Sequence, residues 1–186
     1  YIGHQSGYYV TTGVQNVGVG TSTLGRNSAV SATTGSYNTA VGMYSLTFLQ
    51  SGTDNTAVGY NSLRSTTTGV NNTAVGSGAA YVNTTGNSNS ALGINALYNN
   101  TTGSNNVALG QQSLYSSNTA SYNTSVGFQA LYSSTVDNQT AIGYQALYSN
   151  TTGSINLAIG GLALTFNTTG IRNHAIGYQS LKNNTT

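Results

Sequence analysis

The stretch Asn72-Thr73-Ala74-Val75-Gly76 decides the fold, because it returns. Asn55-Thr56-Ala57-Val58-Gly59 precedes it and Asn89-Ser90-Ala91-Leu92-Gly93 follows it, each displaced by 17 residues (59 to 76, 76 to 93). The closing glycines continue at Gly110, Gly127, Gly143, Gly160 and Gly177, and backwards at Gly42, Gly20 and Gly3. Two intervals depart: Gly20 to Gly42 spans 22 residues and Gly127 to Gly143 spans 16. A fixed period of this size is the mark of a repeat architecture.

Each period carries two further anchors. An aliphatic follows each glycine by a few residues, as in Ser62-Leu63-Arg64, Ala96-Leu97-Tyr98 and Ala130-Leu131-Tyr132. A Thr-Gly turn closes the period, as in Thr68-Gly69, Thr85-Gly86, Thr102-Gly103, Thr152-Gly153 and Thr169-Gly170. Seventeen residues are too few for two helices and a turn, and the abundance of Thr, Asn and Gly disfavours helix. Disorder suits such a polar composition, but a disordered chain has no reason to keep its aliphatics in phase. The expectation is an all-β parallel β-roll, a β-solenoid of 17-residue coils, forming a single repeat domain over residues 1–186 of about ten to eleven coils.

Alternation along a strand then predicts which side chains fill the roll. The reading places two short strands in each coil, one on either wall. One inward row is Val58, Val75, Leu92, Leu109, Val126, Ile142, Ile159 and Ile176; the other is Leu63, Leu97, Leu114, Leu131, Leu147, Leu164 and Leu181. Ala74 and its equivalents, with Ala96 and Tyr98, are expected to face outward. Gly59, Gly76, Gly93, Gly110, Gly127, Gly143, Gly160 and Gly177 are the expected corners, since glycine accepts positive φ without steric penalty. Two inward aliphatics per coil make a flattened roll; a triangular left-handed helix needs one aliphatic every six residues, and the third row is missing. Calcium-binding β-rolls need an Asp in each repeat, and the chain has only Asp54 and Asp137. So little apolar burial per coil offsets poorly the ordering of the backbone. The outward Ala and Tyr rows are therefore expected to bury against further copies of the chain.

Composition narrows the function. Charged residues make up 3% of the chain, against about 25% in typical globular proteins. Arg26, Arg64, Arg172 and Lys182 are the whole basic complement, too sparse for nucleic acid or for an anionic membrane surface. No Cys is present, so thiolate chemistry and disulfides are excluded. No apolar run reaches the roughly 20 residues that span a bilayer. The chain opens and closes inside a repeat, as expected of a piece of a longer protein. His4 and His174 stand about ten coils apart, roughly 50 Å at one strand spacing per coil, and Asp54 and Asp137 about five. Neither pair can form a catalytic site within one chain, although three copies of His174 meeting on a trimer axis would make a metal or anion site. The expectation is a structural protein and not an enzyme, with no catalytic residues, no metal and no cofactor.

Tyr81, Tyr98, Tyr115, Tyr132 and Tyr148 share one slot in successive coils and should form a ladder. Such a row either binds glycans by stacking and hydrogen bonding or packs ring on ring between subunits, with hydroxyls in water. The Thr-Thr rows raise ice binding as a minor alternative, and sequons such as Asn100-Thr101-Thr102 are accounted for as recurring turn residues. The long interval after Gly20 places a loop insertion at residues 21–31, carrying Arg26 as a further candidate for ligand contact.

The Asn-Thr-Ala-Val-Gly phrase, with Ala-Leu and Thr-Gly following it, resembles the head repeats of trimeric autotransporter adhesins of the YadA-like kind. Gly143 to Gly153, read as Gly-Tyr-Gln-Ala-Leu-Tyr-Ser-Asn-Thr-Thr-Gly, resembles repeats of phage-type tail fibres, often found upstream of a self-cleaving chaperone. The resemblance implies a left-handed roll packed as a homotrimer. It further implies an extracellular place, on a virion tail fibre or a bacterial surface, and attachment to a host-surface glycan or receptor. The adhesin repeat is usually shorter, and no neck, stalk, anchor barrel or chaperone is visible here, so both origins stay open.

Overall fold

The computed structural model describes residues 1–25 and 32–186. Ten three-residue strands form one parallel sheet in which spatial order is sequence order. They are β1 (Val17–Val19), β2 (Thr39–Val41), β3 (Thr56–Val58), β4 (Thr73–Val75), β5 (Ser90–Leu92), β6 (Val107–Leu109), β7 (Thr124–Val126), β8 (Thr140–Ile142), β9 (Leu157–Ile159) and β10 (His174–Ile176). The register is the sequence period: Ala74 lies opposite Ala57 on one side and Ala91 on the other. No helix occurs among the described residues. The chain is a β-solenoid of stacked coils.

The second aliphatic segment is not a strand, which corrects the two-strand coil expected from the sequence. Asn95 and Leu97 have φ of +54° and +53°, and the same left-handed pair recurs at Gln112 and Leu114 and at Gln129 and Leu131. Two such residues, one apart, curl the backbone and bring a buried leucine back into the coil. The segment still bonds upward: Leu97 N–H donates to the Ser113 carbonyl at 2.9 Å, and Leu114 N–H to the Ala130 carbonyl at 2.9 Å. Left-handed non-glycine residues each cost about 1–3 kcal/mol and persist only where their surroundings over-determine them. Here the coils above and below supply that constraint.

The phase of the strand is also corrected. Ala40, Ala57, Ala74, Ala91, Ala108, Ala141, Ala158 and Ala175 are buried, and Ala96 with them, whereas Leu92 is 48% and Ile176 70% exposed. Leu109 and Ile142 are exposed too, and Val58, Val75, Val126 and Ile159 are only half-buried. The reason is the thinness of the roll. In β7 a serine takes the alanine slot, and Ser125 Oγ touches both the Ser113 hydroxyl at 2.7 Å and the Ala130 carbonyl at 2.8 Å on the opposite wall. One atom beyond Cβ already spans the interior, so a branched side chain would overfill it. The core is strand alanine, turn alanine and the leucines Leu24, Leu46, Leu49, Leu63, Leu97, Leu114, Leu131, Leu147 and Leu164. Leu181 is the exception at 48% exposed, because no described coil follows it.

The eight corner glycines have φ between +121° and +139°. They stack so closely that a Cβ on Gly93 would sit 2.6 Å from the Gly110 carbonyl oxygen. After Gly20, residues 21–25 follow the ordinary coil: Leu24 is fully buried and its N–H donates to the Ser45 carbonyl at 3.2 Å. The first part of the expected 21–31 loop is therefore regular roll. Its remainder, Arg26 included, lies outside the described residues.

Candidate functional site

Two surfaces of the roll present repeated chemistry. The first is the aromatic ladder. Because Tyr98, Tyr115, Tyr132 and Tyr148 each follow the curled leucine, and Tyr81 follows Ala80 in the same left-handed slot, each ring leaves its coil at the same point. Successive rings lie parallel, with centroids 5.0, 5.4, 5.1 and 5.1 Å apart and interplanar angles of 3–12°. This is coil-on-coil stacking within one chain and needs no second subunit. Arg64 caps the lower end. Its guanidinium lies 5.6 Å from the Tyr81 ring centroid, 5.2 Å from Phe48 and 5.6 Å from Tyr44, and its NH1 donates to the Tyr81 hydroxyl.

Three residues before Tyr115, Tyr132 and Tyr148, the glutamines Gln112, Gln129 and Gln145 form a row linked along itself. Gln129 Nε2 donates to Gln112 Oε1 at 2.9 Å, and Gln145 Nε2 to Gln129 Oε1 at 2.9 Å. Beyond it, Phe128 stacks on Tyr144 with centroids 5.7 Å apart. Burial raises the pKa of Tyr98, and the neighbouring hydroxyls of Tyr81 and Tyr115 raise it further while Arg64 pulls it down. Tyr132 is raised in the same way by burial and by Tyr115 and Tyr148.

The second surface is the outer face of the sheet. Its third-position row runs Val41, Val58, Val75, Leu92, Leu109, Val126, Ile142, Ile159 and Ile176 without a polar residue. The first-position row beside it is mixed: Thr56, Thr73, Ser90, Val107, Thr124, Thr140, Leu157 and His174. Between them a shallow apolar groove is lined by Thr73, Val75, Ser90, Leu92, Val107 and Leu109. Residues that the sequence suggested as core thus form an exposed stripe.

Other candidates stay apart. His4 and His174 are both exposed, at opposite ends of the stack. Asp137 accepts the Ser121 N–H at 2.8 Å, and Asp54 is exposed several coils away. Among the described residues no three His, Cys, Asp or Glu side chains converge as metal ligands, and no helix is long and apolar enough to cross a membrane. The turn threonines are engaged by the roll itself: Thr67, Thr84, Thr151 and Thr168 each donate a hydroxyl to the carbonyl one coil on, at 2.9–3.2 Å. Compared with protein-family models, curated proteins and solved structures, the chain matches none.

Proposed function

We propose that this chain is a structural segment of an extracellular fibre, a homotrimer of left-handed rolls. It serves as shaft or head of a phage-type tail fibre or bacterial surface adhesin, and it spaces or presents a host-attachment site. The observation that carries this reading is the aliphatic stripe on the sheet. An apolar row that runs the length of a chain with so little charge is an interaction surface. A copy of the same chain offers the same rise per coil, so every rung meets a rung. The resemblance of the repeats to trimeric adhesin heads and tail fibres supports three copies and the left hand. No residue of the site suits bond-breaking chemistry, and the role proposed is mechanical.

Light scattering of the purified chain tests it. A mass of three chains is expected, and a stable, folded monomer would falsify the assembly. A second reading gives the tyrosine ladder a glycan to bind, on the strength of its parallel rings beside a row of amides. Binding of polysaccharide that Tyr115→Ala abolishes without loss of fold would favour it.

A further inference from the structure

Two amide rows run inside the roll and converge on one file of backbone carbonyls. The Gly86 carbonyl accepts Asn72 Nδ2 at 2.8 Å and Asn83 Nδ2 at 3.1 Å. The Gly103 carbonyl accepts Asn89 at 2.8 Å and Asn100 at 2.9 Å, and the Gly170 carbonyl accepts Asn156 at 2.8 Å and Asn167 at 3.1 Å. The second row is also linked along itself: Asn100 Nδ2 donates to Asn83 Oδ1 at 2.8 Å, and Asn167 Nδ2 to Asn150 Oδ1 at 3.1 Å.

Between Asn100 and Asn150 the pattern breaks. Ser117 and Ser134, both fully buried, take the second-row slot, and a hydroxymethyl group is too short to reach either the carbonyl or the next rung. The Ala120 carbonyl keeps only Asn106 Nδ2, at 2.8 Å. One level on, the coil is the short one, and the carbonyl of Val136 takes neither amide. Asn100 Oδ1, Ser117 Oγ, Ser134 Oγ and Asn123 Nδ2 are consequently buried with no partner in the protein. Thr66 holds the same slot below Asn83, and its hydroxyl is unpartnered as well. A short hydroxyl in this row leaves an orphan each time. Buried polar groups without partners are rare enough to need a cause.

We propose that this stretch is a built-in hydration site, where ordered water fills the space of the missing carboxamides at Ser117 and Ser134. There it bridges the two hydroxyls, Asn100 Oδ1 and Asn123 Nδ2. Rungs about 4.8 Å apart are closed by a water making two bent hydrogen bonds of about 2.8 Å, and buried waters typically make about three such bonds. The donor set selects water over a cation. Asn123 Nδ2 needs an acceptor, which a metal ion cannot supply, whereas water both donates to the oxygens and accepts from the amide. An apolar guest would leave every orphan unmatched. The site is independent of how copies of the chain associate.

High-resolution crystal structures of the unaltered chain and of the S117N/S134N double variant test this. The unaltered chain should show density within hydrogen-bonding distance of Ser117 Oγ and Ser134 Oγ. The double variant should lose it and carry an unbroken amide row from Asn83 to Asn167. An empty site in the unaltered chain would overturn the proposal, as would water retained beside the new asparagines. Anomalous signal at the site in crystals grown with rubidium would overturn it too, by making the occupant a cation. The unaltered chain decides the matter alone if the double variant does not fold.

Discussion

Asn55 Oδ1 accepts both nitrogens that Asn72 offers, the main-chain N–H at 3.0 Å and Nδ2 at 3.1 Å. One buried oxygen thus ties two coils together; the same double contact joins Asn38 to Asn55 and Asn89 to Asn106, and between Asn72 and Asn89 the main-chain N–H alone makes it, at 3.0 Å. Removing one rung leaves its neighbours unsatisfied. Asn72→Ala should destabilise the roll by about 1–3 kcal/mol. Asn72→Asp should destabilise it more, because a carboxylate accepts only and its charge has no partner inside. Denaturant midpoints of the two variants read this, and a midpoint unchanged in Asn72→Ala would show the row to be idle.

The two faces of β6 respond oppositely to charge. Ala108→Lys places an ammonium group in a space that one extra atom already spans, and the chain should fail to fold. Leu109→Lys places it on the exposed stripe, so circular dichroism should be retained while the mass by light scattering falls. A folded Ala108→Lys variant would mean that the phase of the strand is wrong.

Corner glycines differ by position in the stack. Gly93 combines φ of +136° with a neighbouring carbonyl oxygen 2.6 Å from where Cβ would stand, whereas at Gly177 nothing lies within 4 Å. Gly93→Ala should therefore cost more than the roughly 1–3 kcal/mol of an unfavourable φ alone. Gly177→Ala should show no more than that. Thermal melts compare the pair directly, and equal losses would remove the role of coil-to-coil contact.

Period, parallel stacking and the corners were legible in the sequence because each repeats with unmistakable spacing. The phase was not. Assigning Val75 inward over Ala74 followed apolarity alone, and a shift of one residue turns every side chain to the other face. The correcting signal was present: Asn38, Asn55, Asn72, Asn89 and Asn106 are constant, whereas the position after them varies from Thr to Ser to Val. A slot that keeps a carboxamide in repeat after repeat, Gln139 standing in for asparagine before β8, is held by geometry, and a buried amide pairing with backbone is such a case. The curl at Leu97 was hidden for a different reason. Positive φ at a leucine opposes local preference, so only the stacked coils reveal it.

The raised pKa of Tyr98 and Tyr132 has a sign. Folded chains hold these protons more tightly than unfolded ones, so the contribution is complete below the ordinary tyrosine value of about 10 and is lost as pH climbs through the folded one. Tyrosinate absorbance should therefore rise later for the folded chain than for the denatured one, and stability should fall over the same alkaline range. Tyr98→Phe should reduce both effects. Coincident titrations of the folded and denatured chain would contradict them.

Deleting Gly93 to Leu109 removes one period and joins Leu92 to Gly110 in register. Stability in a solenoid is roughly a sum over neighbours, so the shortened roll should fold and measure about 4.8 Å less along its axis. Removing eight residues from the same place sets a strand against a curled turn and should prevent assembly. Electron microscopy of fibre length distinguishes the two, and misassembly of the whole-period deletion would refute the stacking unit.

Cohesion between coils comes almost wholly from neutral partners: amides, hydroxyls, peptide groups and stacked rings. Among the described residues, few charged side chains reach from one coil to the next: Arg64 on Tyr81, Lys182 over Phe166 and Asp137 on Ser121. Ionic strength has little to screen and proton concentration little to titrate. Such a rod should keep the same rigidity in fresh water, brine or a mildly acid medium, a tolerance of changing surroundings that a charge-paired fold of this length would not have.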